Sequence, residues 1–230
     1  MTEPISVHLY FLLDRTGSMG QIRSDVIGGF NAFLTEQQAM SGDCLMTLVQ
    51  FDSQNPFEVI HDAVPIANVA ELTEETFVPR SGTPLLDAEG MLMVRAEERV
   101  AQRAKEGQPA EAIVFATYTD GEENASREWT FDAVRKCKDG HEDWAFYYLG
   151  VGHDAYKQAR FVGTYGVNTM AAPADTAGVG GTMGYLGQEI GYVRGQAAAG
   201  SRTGSAETRS ALIERAKREG RDPNHYLNEQ

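Results

Sequence analysis

Two runs of almost unbroken apolar residues, Ile5 to Asp14 (ISVHLYFLLD) and Ala112 to Asp120 (AIVFATYTD), each stop on an aspartate. A strand with one face in water alternates apolar and polar side chains. A strand apolar at nearly every position must be covered on both faces, as the central strands of a parallel sheet are. Such strands require helices between them, and the intervening sequence has the right spacing. Ile22, Val26, Phe30, Phe33 and Leu34 form one apolar stripe. Leu85, Ala88, Leu92, Ala96, Val100 and Ala104 form another within Pro84 to Glu106, where Pro84 suits a first helical turn.

The remaining segments fill in the pattern. Cys44 to Asp52 (CLMTLVQFD) and Phe57 to Ile66 (FEVIHDAVPI) read as two strands of a hairpin joined through Ser53-Gln54-Asn55-Pro56. Ser126 is placed to cap a helix running through Lys138, Ala145 to Val151 (AFYYLGV) is a further strand, and Asp154 to about Val162 a short helix. Beyond Gly163 the pattern predicts a short strand near Tyr165 to Met170 and a helix around Met183 to Gln196. Between them, Gly178 to Gly184 (GVGGTMG) reads as a flexible turn, because it breaks the G-x-G-x-x-G spacing of a nucleotide loop and follows no apolar strand. The alternation gives an α/β class: a doubly wound, mostly parallel sheet flanked by helices, with one antiparallel edge strand.

A chain of 230 residues, 42% hydrophobic, is long enough for one sizeable core. Residues 1–199 are read as that domain. Residues 200–230 are read as a polar tail, flexible or helical around Ala206 to Arg218. The tail holds six basic against five acidic residues, so the body carries all the acidity, 14 basic against 28 acidic residues or -14 where the whole chain has -13. An acidic body lacks the basic face that nucleic acid or an anionic membrane surface needs, which excludes both as partners and makes a cation the natural ligand. The first residues show no basic, apolar and small-residue sequence of an export signal, and no apolar run approaches the ~20 residues of a membrane helix, so a cytoplasmic protein is expected. Cys44 and Cys137 show neither metal-ligand nor redox spacing, and His8, His61, His141, His153 and His225 are scattered along the chain.

The chemistry lies in three oxygen-rich pieces at strand ends or helix starts: Asp14-Arg15-Thr16-Gly17-Ser18, Gly82-Thr83-Pro84 and Thr119-Asp120-Gly121. Taken singly each has an ordinary reading. Asp14 or Ser18 caps the following helix, Thr83 caps the one at Pro84, and Asp120-Gly121 makes a turn. In an open parallel sheet, however, those positions meet at the carboxyl edge, where ligands bind. Together they offer two carboxylates and three hydroxyls with no imidazole or thiolate, a donor set for a hard cation such as Mg²⁺, Mn²⁺ or Ca²⁺ rather than zinc. Alternation in Asp14-x-Thr16-x-Ser18 aims three side chains one way, and Gly17 lets the backbone turn tightly.

This set resembles the metal-ion-dependent adhesion site of von Willebrand A (integrin I-like) domains, which combines Asp-x-Ser/Thr-x-Ser with a distant Thr and a distant Asp. The resemblance spans roughly Ile5 to Gly163, including the Gly28-Gly29-Phe30-Asn31-Ala32-Phe33 helix, Thr119 to Ser126 and Leu149-Gly150-Val151-Gly152. These stretches are most similar to stand-alone intracellular proteins of bacteria and phages. The resemblance implies a Rossmann-like fold. It also implies that Thr16, Ser18 and Thr83 are direct hydroxyl ligands and that Asp14 and Asp120 act directly or through water, with Mg²⁺ first among the ions.

Neutral hydroxyls leave a bound cation electrophilic, so it should take an Asp or Glu carboxylate from a partner protein, a contact strengthened when the interface excludes water. Arg15 is expected to face solvent, and Glu122 and Glu123 to form a solvated loop. The main rival is a Mg²⁺-dependent phosphatase of haloacid dehalogenase type. Its general acid would stand two residues after Asp14, where this chain has Thr16. No phosphate loop, nucleophile elbow or H-E-x-x-H is present, so no enzyme and no small-molecule cofactor is expected. A scaffold with a vestigial metal site is the third reading.

Overall fold

The structure, a computed structural model, describes residues 3–141, 143–152, 155–164 and 168–200. In chain order the elements are β1 (Val7–Asp14), α1 (Arg23–Ala39), β2 (Cys44–Phe51), β3 (Glu58–Pro65), α2 (Leu85–Lys105), β4 (Ala112–Thr119), α3 (Phe131–Asp139), β5 (Ala145–Val151), α4 (Ala155–Phe161), β6 (Thr169–Ala172) and α5 (Thr176–Ala198). The strands form one sheet in the order β3-β2-β1-β4-β5-β6. Every pairing is parallel except β2 with β3, whose register is irregular between Met46 and Val49. This is the mixed sheet expected, with the antiparallel member at its edge.

All eight residues of β1 and all eight of β4 are buried, as their unbroken apolar runs require. Alternate side chains feed two cores. On one face Leu9, Phe11 and Leu13 pack with Phe30 and Phe33 of α1 and with Val179, Met183 and Ile190 of α5. On the other, Tyr10 and Leu12 pack with Leu85, Leu92 and Met93 of α2, Val134 of α3 and Ala159 of α4. The helices α1 and α5 lie close together. A methyl group added at Gly29 would stand 3.1 Å from Val179 Cγ1, so a missing side chain sets their separation.

At the edge where the parallel strands begin, polar groups join the layers. His8 Nε2 on β1 lies 2.9 Å from Thr47 Oγ1 on β2, and Glu111 accepts from Nε and Nη2 of Arg99 of α2 at 3.0 and 2.9 Å. Burial pushes the Glu111 carboxyl up. Hydrogen bonds from His8 and Arg99, with their charges, outweigh burial and hold it down at about 2.

Several expectations need correction. The helix after Ser126 begins only at Phe131, where Thr130 Oγ1 accepts from Ala133 N. Ser126 instead serves α2, its hydroxyl accepting from Leu86 N and Asp87 N. The stripe of α2 is buried at Leu85, Ala88, Leu92 and Ala96 and emerges at Val100 and Ala104, where the helix runs past the sheet. The segment Gly178 to Gly184 is helix, not a turn, because Asp175 caps it through Gly178 N at 2.8 Å and α5 continues without a break. The last strand is Thr169–Ala172 rather than Tyr165 to Met170. Residues 165–167 and the tail from 201 onward, with its expected helix, lie outside the described residues. Among the described residues no helix is long and apolar enough to cross a membrane.

Candidate functional site

The chain builds the sheet outward from β1 to β2 and β3, then crosses back to add β4 on the other side of β1. The strand order therefore reverses between β1 and β4, and the crevice of an open α/β sheet forms at such a reversal. Asp14 ends β1 and Asp120 directly follows β4, so both carboxylates lie at that crevice.

The five oxygen-bearing residues named above are drawn together there. Asp14 is fully buried and accepts from Thr16 N at 2.7 Å and from Thr119 Oγ1 at 2.5 Å. Thr16 Oγ1 lies 3.3 Å from Ser18 Oγ, which in turn donates to Asp120 Oδ1 at 2.7 Å. Thr83 is buried with its hydroxyl against Gly121. A β-carbon on that glycine would stand 3.1 Å from Thr83 Oγ1 and 3.8 Å from Asp14 Oδ2. Only a residue without a side chain lets the third loop come this close to the other two.

The N-cap of α2 is Pro84, not Thr83, and it supplies no side-chain cap. The first amides of that helix go to Ser126 Oγ and to Glu123 Oε2, which accepts from Leu86 N at 3.0 Å. Glu123 is thus a capping and loop-ordering group rather than a solvated one; it also accepts from Ala125 N and Ser126 N. Glu122 is exposed, as expected.

The loops are also stitched by their backbones. Gly17 N donates to Ser81 O at 3.0 Å, Arg80 N to Arg15 O at 2.8 Å, and Asn124 N to Thr83 O at 3.1 Å. Ser81 adopts a left-handed conformation at φ 60, uncommon for a residue with a side chain, in the middle of this stitching. Arg15 does not face solvent. Its guanidinium turns inward to Asp52 Oδ2 at 2.7 Å, to Gln50 Oε1 at 3.4 Å and to Glu58. Asp52 is fully buried, and burial pushes its carboxyl up; bonds from Gln54 N, Asn55 N, Arg15 and Arg80 more than offset that and hold it low. Arg15 is therefore a strut between the first loop and the β2–β3 hairpin.

Asp14 contrasts with Asp52. Burial, with the nearby charge of Asp120 adding to it, pushes the Asp14 carboxyl up to about 7 against the pull of bonds from Thr119 and Thr16. No basic side chain pairs with it among the described residues. A cation beside Asp14 would supply the missing charge, and the surrounding donors, carboxylate and hydroxyl only, suit a hard divalent ion. Thr119 and Asn124 were not in the set read from the sequence. The adjacency of Thr119 to Asp120 was visible, but its bond to Asp14 spans 105 positions.

No family model matches the chain, and no curated protein does. Solved structures do. Proximal thread matrix protein 1 from the mussel byssus, solved with a zinc-occupied MIDAS motif, matches with a TM-score of 0.56 at 15% identity, over 80% of this chain and 48% of that one. A von Willebrand factor type A protein from Catenulispora acidiphila matches with a TM-score of 0.52 at 11% identity, over 80% of this chain and 42% of that one. This is the von Willebrand A fold. The pilus adhesin SpaC from Lactobacillus rhamnosus GG also matches, with a TM-score of 0.60 at 12% identity over 84% of this chain and 31% of that one. The chain spans less than half the length of these solved proteins. At such identities the likeness establishes the von Willebrand A fold alone, so the chemistry must rest on this chain's own residues.

Proposed function

We propose that the chain binds one divalent cation, Mg²⁺ first, through Asp14, Thr16, Ser18, Thr83 and Asp120, and uses it to capture an Asp or Glu carboxylate of a partner protein. The observation that carries this reading is the gathering of Thr16, Ser18, Thr83 and Asp120 from three loops around Asp14, a carboxyl that burial pushes up to about 7. Three of the donors are neutral, so a bound ion would keep the electrophilic character that draws an outside carboxylate. The zinc reported in the MIDAS motif of proximal thread matrix protein 1 makes Zn²⁺ a competitor to be tested beside Mg²⁺, Mn²⁺ and Ca²⁺.

Binding rather than catalysis is favoured by Thr16. It stands where a haloacid dehalogenase needs its general acid, and it is buried with its hydroxyl toward Ser18. The two free cysteines, Cys44 and Cys137, accord with a reducing compartment such as the cytoplasm.

The test is thermal. Saturating Mg²⁺ or Mn²⁺, at about 100 times its dissociation constant, should raise the melting temperature by about 5–10 °C, and EDTA should reverse it. Asp120→Ala should remain folded by circular dichroism and lose the shift. Capture of a partner from native lysate should be abolished by EDTA and by the same variant. No metal response in the wild type would sink the proposal, and Asp14-dependent turnover of phosphomonoesters would replace it with the enzyme reading.

A further inference from the structure

A second set of ligand-type side chains lies away from this crevice. The Cys137 thiol on α3, the His141 ring just past that helix and the Glu97 carboxylate on α2 each present one donor atom, and the three atoms lie within 4.8 Å of one another. Glu97 Oε1 is 2.7 Å from His141 Nε2 and 3.6 Å from Cys137 Sγ. We infer that these three residues form a site for Zn²⁺, separate from the oxygen site. The latter sits where β1 and β4 end, whereas α3 ends where β5 begins, at the opposite edge of the sheet.

The geometry suits a tetrahedral ion. With Zn–S about 2.3 Å and Zn–N and Zn–O about 2.0–2.2 Å, neighbouring ligand atoms stand roughly 3.4–3.6 Å apart. The sulfur-to-oxygen distance already has that value, and the nitrogen-to-oxygen distance has to open by under 1 Å. Glu97, its side chain 43% exposed, is free to make that movement. The other two ligands are held. His141 is stacked flat on Trp144, with ring centroids 3.7 Å apart and planes within 4°, and its backbone amide donates to Lys138 O. Cys137 in the last turn of α3 and His141 just past its C-cap Gly140 bring their donor atoms within 4.8 Å of each other. The neighbouring ammonium does not compete, because Lys138 Nζ is turned into the interior toward Glu89 at 3.0 Å.

The donor chemistry fixes the class of ion. Thiolate, imidazole and carboxylate together select a borderline-soft divalent metal and reject Mg²⁺ and Ca²⁺. Burial, with the charge and hydrogen bond of Glu97 adding to it, pushes the Cys137 thiol up to about 11, so loading the ion releases that proton to solvent. Three protein ligands leave a fourth position for water, and the ion would tie α2 to the end of α3.

Co²⁺ provides the test, because cobalt bound by oxygen alone gives no thiolate-to-metal charge-transfer band and cobalt bound to Cys137 does. The 230-residue chain, stripped with chelator and titrated with Co²⁺, should develop that near-ultraviolet band, and stoichiometric Zn²⁺ should bleach it. The band should persist in Asp120→Ala, which removes an oxygen-site donor, and in Cys44→Ser. It should vanish in Cys137→Ser. Loss of a group that merely orients a ligand costs 10–100-fold, so His141→Ala, removing a ligand itself, should weaken Co²⁺ binding by at least about 100-fold. Circular dichroism checks that each variant is folded. A folded wild type with no band, or a band that survives Cys137→Ser, overturns the site and leaves the trio as hydrogen-bonded side chains only.

Discussion

Arg15 occupies the second position of the Asp14-to-Ser18 motif, and its side chain points away from every hydroxyl in it. Its partners, Asp52, Gln50 and Glu58, all come from the β2–β3 hairpin, so the motif's backbone is braced from behind while its oxygens face the crevice. Arg15→Ala should destabilise the fold by about 3 kcal/mol in urea denaturation, since it strips a partner from the fully buried Asp52. Arg15→Lys should recover only part of this, because one ammonium cannot reach the three acceptors that a guanidinium fork spans. Both variants should also shrink the metal-induced rise in melting temperature; an unchanged rise would show that the brace does not position the donors. The meeting of the five oxygen-bearing residues at one crevice was legible in the sequence because each lies at or beside a strand end or a helix start; their role as ligands is the proposal above. Arg15 was not, because an arginine in a polar loop carries no local sign of a buried carboxylate 37 positions away. Glu97, Cys137 and His141 escaped for the same reason: Cys137 and His141 stand near the end of α3 and just past it, but Glu97 belongs to another helix.

The helix α5 shows where local pattern and tertiary packing part company. Glycine is a poor helix former, and the four glycines from Gly178 to Gly184 read as a flexible turn ahead of a helix expected only from about Met183. The structure assigns the glycines of α5 two kinds of position. Gly178 stands against the preceding chain, where a β-carbon would meet Pro173 O at 2.0 Å, and Gly187 stands against Glu36 and Phe33 of α1. Gly181 is exposed with open space around it. Opposite outcomes are therefore expected from one substitution. Gly178→Ala should cost about 2 kcal/mol through overpacking, and Gly181→Ala should add roughly 0.5–1 kcal/mol through better helix propensity. Denaturant midpoints measured side by side check the pair, and equal signs would contradict the packing described. The buried helix α2 and strands β1, β4 and β5 were all predictable to within two residues or so, because there periodicity and burial agree.

For the molecule as a whole, acid is the informative stress. Glu111 has its folded carboxyl at about 2 against an ordinary 4.5, so the unfolded chain binds the proton more readily. Its contribution is fully present above about 4.5 and is lost as pH falls toward 2. Glu111→Gln should be less stable than the wild type at pH 7, on the order of 3 kcal/mol, with the gap closing through that window. The His8 ring acts in the same direction, because burial lowers its folded affinity for a proton and protonation of the unfolded chain below about 6.5 opposes folding. Urea titrations at a series of pH values check this; a gap that stays constant with pH would assign Glu111 to packing alone. The placement of the crevice has one more consequence. Ser18 meets Asp120 across 102 positions, and Asp14 meets Thr119 across 105. A growing polypeptide released from its N-terminal end therefore holds four of the five oxygen-bearing residues but lacks Asp120, and Thr119 beside it, until the fourth strand has emerged and docked. Any ion capture would then wait until about half of the 230 residues have been made, and the rate at which a refolding sample takes up a divalent cation should follow closure of the sheet's centre rather than formation of any single loop.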